Sequence, residues 1–225
     1  MPWVAVDEPF ATPPKAVGPL AEPRGDGAID VDERWGSIVE ADLQGGVDVS
    51  LCEQLELRGS VLRGVTFRAQ PGIELEVNAT RFVECDLTAL RFTKLTNTSF
   101  EGCKISGVDF SAGLIRDVVF ERCLLRLSVF RMAELERVEF RDCTLDDLDC
   151  YEASLSNVSV PGTDLRAVEF DKTRFQAVDL RGAQDLDIRS GRRFEGCLLD
   201  QQQLLPLVHL FADAAGVSVA REDEE

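Results

Sequence analysis

The sequence predicts an all-β chain that winds into a four-sided coil around a column of apolar side chains. Two observations carry this prediction: a large apolar residue recurs at every fifth position, and residues of matching size recur at every twentieth. A third observation, an apolar segment with helical spacing near the C-terminus, predicts a helix that closes the coil. The expected order is an arm over residues 1–38, the coil over 39–199, and a capping helix with an acidic tail over 200–225.

The first segment is rich in proline. Residues 1–35 hold six of the nine prolines and both tryptophans, Trp3 and Trp35. Proline removes a backbone donor and breaks regular helix, so this composition favours an extended arm. We expect the aromatic side chains to dock the arm over the first coil, and a disordered arm is the alternative.

The period of five is unbroken from Phe100 to Leu180, as in Phe120, Leu125 and Phe130. A spacing of five advances an α-helix by about 140° beyond a full turn, which smears the apolar stripe around the helix. In a flat strand an odd spacing sends successive large residues to opposite faces. The remaining solution is a chain that turns a corner every five residues and keeps these residues inside.

The spacing of twenty sets the number of sides, because stacked coils should place residues of matching size above one another. Twenty residues at five per side give four sides. A column cysteine is then expected to be a position that accepts one small apolar group. The predicted structural core comprises three such columns: Val118, Val138, Val158 and Val178; Phe100, Phe120 and Phe140; and Cys103, Cys123 and Cys143.

A second register of the same spacing runs upstream, from Val47 to Phe92. The two registers meet around residues 95–100, where Phe82 and Phe100 are 18 residues apart instead of 20. We therefore expect one coil to be shortened by two residues. At four repeats per coil, the whole region predicts about seven coils.

The C-terminal segment has its apolar residues at helical spacing, with Asp200 as a cap and Gly216 as a stop signal. Pro206 is expected in the first turn or at a kink. The residues with this spacing are Leu204, Leu205, Val208, Phe211 and Ala212.

Composition limits the partners. The net charge of −17 argues against direct binding to nucleic acid or to an anionic membrane, which require clustered Lys and Arg. No stretch approaches the ~20 apolar residues that span a bilayer, and the first residues show no signal-peptide pattern. We expect a cytoplasmic protein, and 20 Arg against 4 Lys suggest a bacterium of high genomic GC content.

The sequence offers no catalytic or cofactor motif. His209 is the only histidine, which disfavours nucleophile systems built on histidine. The seven cysteines include no CxxC pair, and stacked thiols ~4.8 Å apart cannot surround one tetrahedral ion. We therefore expect reduced thiols, no metal, no cofactor and no enzyme activity.

Two sets of outward residues are candidate interaction surfaces. Clustered carboxylates could bind a basic surface, although a solvated face is the ordinary alternative. The second set is an apolar belt at outward positions within one coil, to be covered by the arm or by a partner. The acidic set is Asp146, Asp147, Asp149 and Glu152, and the belt is Leu114, Val119, Leu124, Leu127, Val129 and Met132.

The segments "AVDLR" (177–181), "GVDFS" (107–111) and "ECDLT" (84–88) fit the repeat consensus A(D/N)LXX. The chain thus resembles the pentapeptide repeat proteins. The resemblance implies a right-handed quadrilateral parallel β-helix, and a terminal helix that in some members makes a homodimer. Some members protect DNA gyrase or topoisomerase IV from quinolones and toxins, by presenting a DNA-like acidic rod.

The position of the charge decides between the functions that the resemblance implies. Residues 61–180, the regular coils, carry a net charge of only −5, and most of the acidity lies in the flanks. Such a coil is a poor copy of a phosphate ladder. The sequence therefore favours a protein-binding or scaffold module with an unidentified protein partner. Modulation of a type II topoisomerase by DNA mimicry is the alternative.

Overall fold

A computed structural model describes residues 28–31, 34–191 and 193–218. The predicted arm up to residue 27, with Trp3, and the acidic tail from residue 219 lie outside the described residues. The described chain is almost entirely β, with two short helices at its end. The strands are β1 (Ala28–Val31), β2 (Trp35–Val39), β3 (Asp42–Val49), β4 (Gln54–Arg58), β5 (Val61–Ala69), β6 (Glu74–Asn78), β7 (Arg81–Val83), β8 (Arg91–Glu101), β9 (Lys104–Ser106), β10 (Leu114–Glu121), β11 (Leu124–Arg126), β12 (Glu134–Arg141), β13 (Thr144–Asp146), β14 (Ser154–Ser159), β15 (Asp164–Glu169), β16 (Arg174–Asp179), β17 (Leu186–Ser190) and β18 (Cys197–Leu198); the helices are α1 (Gln201–Leu204) and α2 (Val208–Ala215).

The strands stack in parallel, one above the other, as the turns of a solenoid. One stack runs β2-β4-β6-β8-β10-β12-β14-β16-β18, and a second runs β9-β11-β13-β15-β17. The nine strands of the first stack are separated by eight steps, so the chain makes about eight turns. We number the coils one to eight, and the faces one to four in chain order from β2; in coil five the faces are centred on Ile115, Phe120, Leu125 and Phe130.

The prediction of about seven coils was therefore low by one, and the boundary at residue 39 was too late. Trp35 already pairs with Gln54, so the first coil includes residues that we assigned to the arm. The apolar period is obscured there because Gly36 fills an inward position. Before it, β1 pairs antiparallel with β2 and covers the exposed edge of the first coil.

The interior is filled by the residues of the five-residue period. Of the seventeen period positions from Phe100 to Leu180, sixteen are buried and Phe175 is half-buried. Phe82, Phe100, Phe120 and Phe140 form a stack with ring centroids 4.7, 4.7 and 4.9 Å apart. These separations match the spacing of stacked strands, so each coil contributes one ring to the column.

The change of register lies earlier than predicted. Leu75 pairs with Phe92, and two residues later Val77 pairs with Leu95, so the extra step falls inside residues 92–95 instead of 95–100. Phe82 pairs with Phe100, as the shortened coil requires. The strand β8 continues through the irregularity, because its other residues keep their partners in both neighbouring coils.

The corners of the coil are built from residues in the left-handed region. Eighteen non-glycine residues of the described chain have φ between 48° and 58°. They fall two residues after the inward centres, as Arg122, Leu127 and Met132 do in coil five. This repeated conformation turns the chain the same way at each corner. It costs free energy in residues with a Cβ, so the stacked interior must offset that cost.

The cysteine column is a hydrogen-bonding position and not only an apolar one. The backbone N–H of Cys103 donates to the Cys123 sulfur at 3.4 Å, and the N–H of Cys143 donates to Thr163 Oγ1 at 3.1 Å. The Cys123 thiol donates to the Phe100 carbonyl at 3.4 Å. A small side chain with a polar tip therefore links neighbouring coils at this corner.

The two helices close the C-terminal end. Asp200 caps α1, and the side chain of Gln203 donates to the Leu180 carbonyl at 2.7 Å, where another coil would otherwise bond. Leu207 and Leu210 are buried in the core. Pro206 lies in the break between the helices, so the buried positions are offset from the predicted stripe, and Leu204, Leu205 and Val208 are exposed.

Gly216 ends α2 with φ 71°, as expected for a helix stop. In the part of the chain that the structure describes, neither helix is long and apolar enough to cross a membrane.

The Phe120 ring is fully buried between two others, so the Phe120→Ala variant removes the middle of the stack. We expect a loss of about 3–5 kcal/mol in the free energy of unfolding. Urea denaturation measures it, with Phe120→Leu as the milder comparison. An unchanged midpoint for Phe120→Ala would contradict the inward assignment.

The cysteines should be unreactive in the folded protein. All seven are reduced, and burial raises the pKa of Cys150 and of Cys197 to about 12. At pH 8 only about one thiol in ten thousand would then be a thiolate. A thiol-reactive chromophore should modify the native protein slowly and all seven cysteines once urea unfolds it. Rapid reaction of buried thiols without unfolding would refute the packing described here.

Candidate functional site

The predicted acidic residues lie together on faces three and four of coil six. Asp146 ends β13, Asp147 and Glu152 are corner residues, and Asp149 pairs in register between Val129 and Glu169. The structure therefore brings the four carboxylates onto one side of the rod.

Each of these carboxylates has a cationic partner. The N–O distances are 3.3 Å for Arg126 and Asp146, 2.8 Å for Arg189 and Asp147, and 3.0 Å for Lys172 and Glu152. Arg131 forms an ion pair with Asp149. The partners come from the coils on both sides, so the predicted acidic patch is a mixed-charge network.

The sequence analysis missed these partners, although the sequence contains a signal for several of them. Arg126 and Asp146 are 20 residues apart, and so are Glu152 and Lys172. The spacing that places the core residues in columns therefore also places opposite charges beside each other. Arg189 pairs across two coils and follows the end of the regular period, so the spacing could not have predicted it.

Two of these pairs flank Tyr151. The Lys172 amine lies 4.8 Å from the ring centroid and donates to the tyrosine hydroxyl, while the Arg131 guanidinium lies 5.7 Å from the centroid. The hydrogen bond from Lys172 lowers the pKa of Glu152, and the hydrogen bond to Asp149 raises the pKa of Arg131. The network keeps its charges at neutral pH and fixes the aromatic ring between them.

The apolar belt separates into covered and exposed parts. Leu114 and Val119 are half-buried in β10. Leu124, Leu127 and Met132 are 41%, 51% and 55% exposed. Together with the half-buried Val129, these three form what we call the apolar ridge: Leu124, Leu127, Val129 and Met132, on faces three and four of coil five.

The ridge stands out because its neighbours in coil four are small. Gly107 precedes Leu127 at the same corner, and Ala112 precedes Met132, as the backbone bonds of these corners show. Among the eighteen non-glycine corner residues with left-handed φ in the described ranges, Leu127 and Met132 are the only ones with large apolar side chains. Neither side chain contributes to the core.

The ridge and the acidic residues form one surface. Val129 pairs in register with Asp149, and the Leu127 amide donates to the Asp146 carbonyl. The ridge therefore lies one strand spacing, ~4.8 Å, from the charged row. An apolar centre beside a paired, charged margin is the usual anatomy of a protein–protein interface.

Neutralising the charged row should leave the fold nearly intact, because each pair is exposed to solvent. We expect the combined variant Asp146→Asn, Asp147→Asn, Asp149→Asn and Glu152→Gln to melt within a few degrees of the wild type. Thermal melting followed by circular dichroism measures this.

The comparison is Asp117→Asn, because Asp117 is buried and accepts bonds of 2.7 and 2.8 Å from Arg137. That single change should lower the melting temperature more than the four surface changes together. A collapse of the fourfold variant would show that the row is structural.

Comparison with known proteins gives one family match. A family model described as "Pentapeptide repeat region" matches residues 76–148 and 93–170. No curated protein sequence matches the chain.

Among solved structures, a trypsin-treated form of QnrB1, a plasmid-mediated fluoroquinolone resistance protein, is 16% identical over 84% of this chain and all of that one, with a TM-score of 0.28. HetL, a pentapeptide repeat protein involved in heterocyst differentiation regulation from the cyanobacterium Nostoc sp. strain PCC 7120, is 20% identical over 76% of this chain and 90% of that one, with a TM-score of 0.25. We rest the assignment on the repeat-region match and on the five-residue sides of the coil, which together show that this chain belongs to the pentapeptide repeat family.

Proposed function

We propose that this protein is a non-enzymatic binding module of the bacterial cytosol, and that a protein partner docks on the apolar ridge. The observation that carries the proposal is the pair Leu127 and Met132, two large apolar side chains at exposed corners with φ of 52° and 58°. A residue with a Cβ is disfavoured in this conformation, and an exposed side chain returns little packing energy. Contact with a partner gives these residues a purpose.

The charged row supports the same proposal. Its carboxylates and their partners surround the ridge on the side of coil six with groups that remain solvated and can orient an incoming surface. The partner expected on this chemistry offers an apolar groove for Leu127 and Met132, with mixed charge at its rim. The reduced cysteines are consistent with a reducing compartment.

Modulation of DNA gyrase or topoisomerase IV by DNA mimicry is the alternative proposal. Mimicry requires rows of unneutralised negative charge that follow the spacing of phosphates. On this rod cations alternate with the carboxylates, as in the pairs Arg116–Glu136 at 2.6 Å and Arg122–Glu101 at 2.6 Å. The observed pairing supports the binding module better than the mimic.

The predicted homodimer through the C-terminal helices stays a prediction. Leu205 and Val208, 77% and 50% exposed, lie on the outer side of that cap and are the residues such a dimer would cover.

The test replaces the ridge corners without disturbing the backbone. Asparagine tolerates left-handed φ better than leucine or methionine, so Leu127→Asn with Met132→Asn should fold as stably as the wild type or more so. Glu40→Asn is the matched control, because Glu40 is an exposed corner residue with φ 50° on the opposite side of coil one. A photo-crosslinker at Leu124 identifies the partner in a lysate of the source organism.

We expect the crosslinked partner to bind purified wild-type protein and the control alike, and to bind the double variant at least tenfold more weakly. Equal binding by the double variant would refute the ridge as the docking site. The same proteins enter a gyrase supercoiling assay with quinolone. Protection of gyrase that persists in the ridge variant and is lost in the neutralised row would support mimicry instead.

A further inference from the structure

A cleft of about 610 Å³ opens near the C-terminal end of the rod, between face four of coil seven and the chain segment that follows β17. Its lining includes Tyr151, Phe170, Lys172, Arg174 and Arg193. The volume lies in the range of pockets that hold small molecules, ~300–1,000 Å³. The sequence analysis did not predict this cleft, because the five-residue period ends at Leu180.

The cleft forms because the chain leaves the coil after Ser190 and returns at β18. Gly191 and Gly196 bound this excursion with φ of 146° and 92°. A Cβ on Gly196 would lie 2.3 Å from the Phe175 carbonyl oxygen, so only glycine fits that close approach. The excursion carries Arg193 outward to the rim of the cleft.

The charge of the lining is opposite to the charge of the protein. Lys172, Arg174 and Arg193 are positive and Asp171 is the one carboxylate that lines the cleft with them, whereas the whole chain carries −17. In residues 28–31, 34–191 and 193–218, neither Arg174 nor Arg193 forms an ion pair. This differs from the ridge, where cations are matched by carboxylates.

Arg174 is held in place by a neutral group. Its Nε and Nη2 atoms donate to the Ser154 hydroxyl at 3.1 and 2.7 Å, which orients the guanidinium and leaves its other N–H groups available. Lys172 is fixed by Glu152 and by Tyr151. The guanidinium fork matches the geometry of phosphate and carboxylate oxygens, so two oriented arginines are well suited to an oxyanion.

We propose that this cleft binds a small molecule bearing a phosphate or carboxylate group, with Arg174 and Arg193 contacting the oxyanion and Lys172 adding positive charge. Phe170 and the edge of Tyr151 supply apolar surface for the rest of the ligand. The site is separate from the apolar ridge, so it adds a small-molecule input to the proposed binding module and does not depend on that function.

Tyr151 gives a direct reporter, because it is the only tyrosine of the chain. A sample labelled with ¹³C in tyrosine therefore shows one set of ring signals, and pyrophosphate is titrated against it at constant ionic strength. Citrate forms the second arm and distinguishes a carboxylate source from a phosphate source. We expect a saturable shift for at least one of the two anions, with a Kd of about 1 mM or below.

The variant Arg174→Gln with Arg193→Gln should weaken this binding at least tenfold. The matched control is Arg63→Gln with Arg68→Gln, which removes the same charge from β5 at the other end of the rod and should bind like the wild type. The proposal is overturned if neither anion shifts the tyrosine signal, or if the cleft variant binds as tightly as the control. A shift caused only by a glutamate-rich peptide would also overturn it, because the occupant would then be an acidic protein segment.

Discussion

The stacking of inward side chains in register is the interaction on which the rest of the structure depends. Phe82, Phe100, Phe120 and Phe140 lie 4.7 to 4.9 Å apart, which is also the distance between hydrogen-bonded strands. The two spacings must agree, because a ring can stack on its neighbour only if the coils are in register. Apolar burial therefore fixes the same geometry that the backbone hydrogen bonds require.

This constraint sets what the surface can do. Once every inward position is used for packing, the outward positions vary without changing the fold, and each residue stands beside one that is about twenty positions away. The cation–carboxylate pairs, the apolar ridge and the charged row all arise from this arrangement. The exposed corners at Leu127 and Met132 have no part in the stack, so we interpret them as functional.

The regular part of the fold could be predicted from the sequence because its cause is local and repeated. The inward period needs no knowledge of distant residues, and the buried residues from Phe100 to Phe170 follow it without exception. The family resemblance added the hand of the coil and the capping helix. The count of coils was low because Gly36 hides the start of the period, and the register change was placed a few residues too late.

The site was predicted less well, because charge pairing and surface relief depend on which residues meet across coils. The acidic residues and the belt were found separately, and only the stacking of coils five and six brought them together. Arg126 could have been matched to Asp146 by the spacing of twenty, whereas Arg189, Arg193 and the cleft follow the loss of the period. No local pattern announces the path of the chain between β17 and β18.

The distance between coils tests the account most directly. Nitroxide labels on genetically encoded, non-cysteine residues at positions 66 and 164 would lie in one outward column, five strand steps apart through positions 86, 104, 124 and 144. Pulsed electron paramagnetic resonance should then report a narrow distribution near ~24 Å, and moving the first label to position 86 should shorten it by ~4.8 Å. A broad distribution, or a distance that does not fall by one strand spacing per coil, would contradict the stacked, in-register interior.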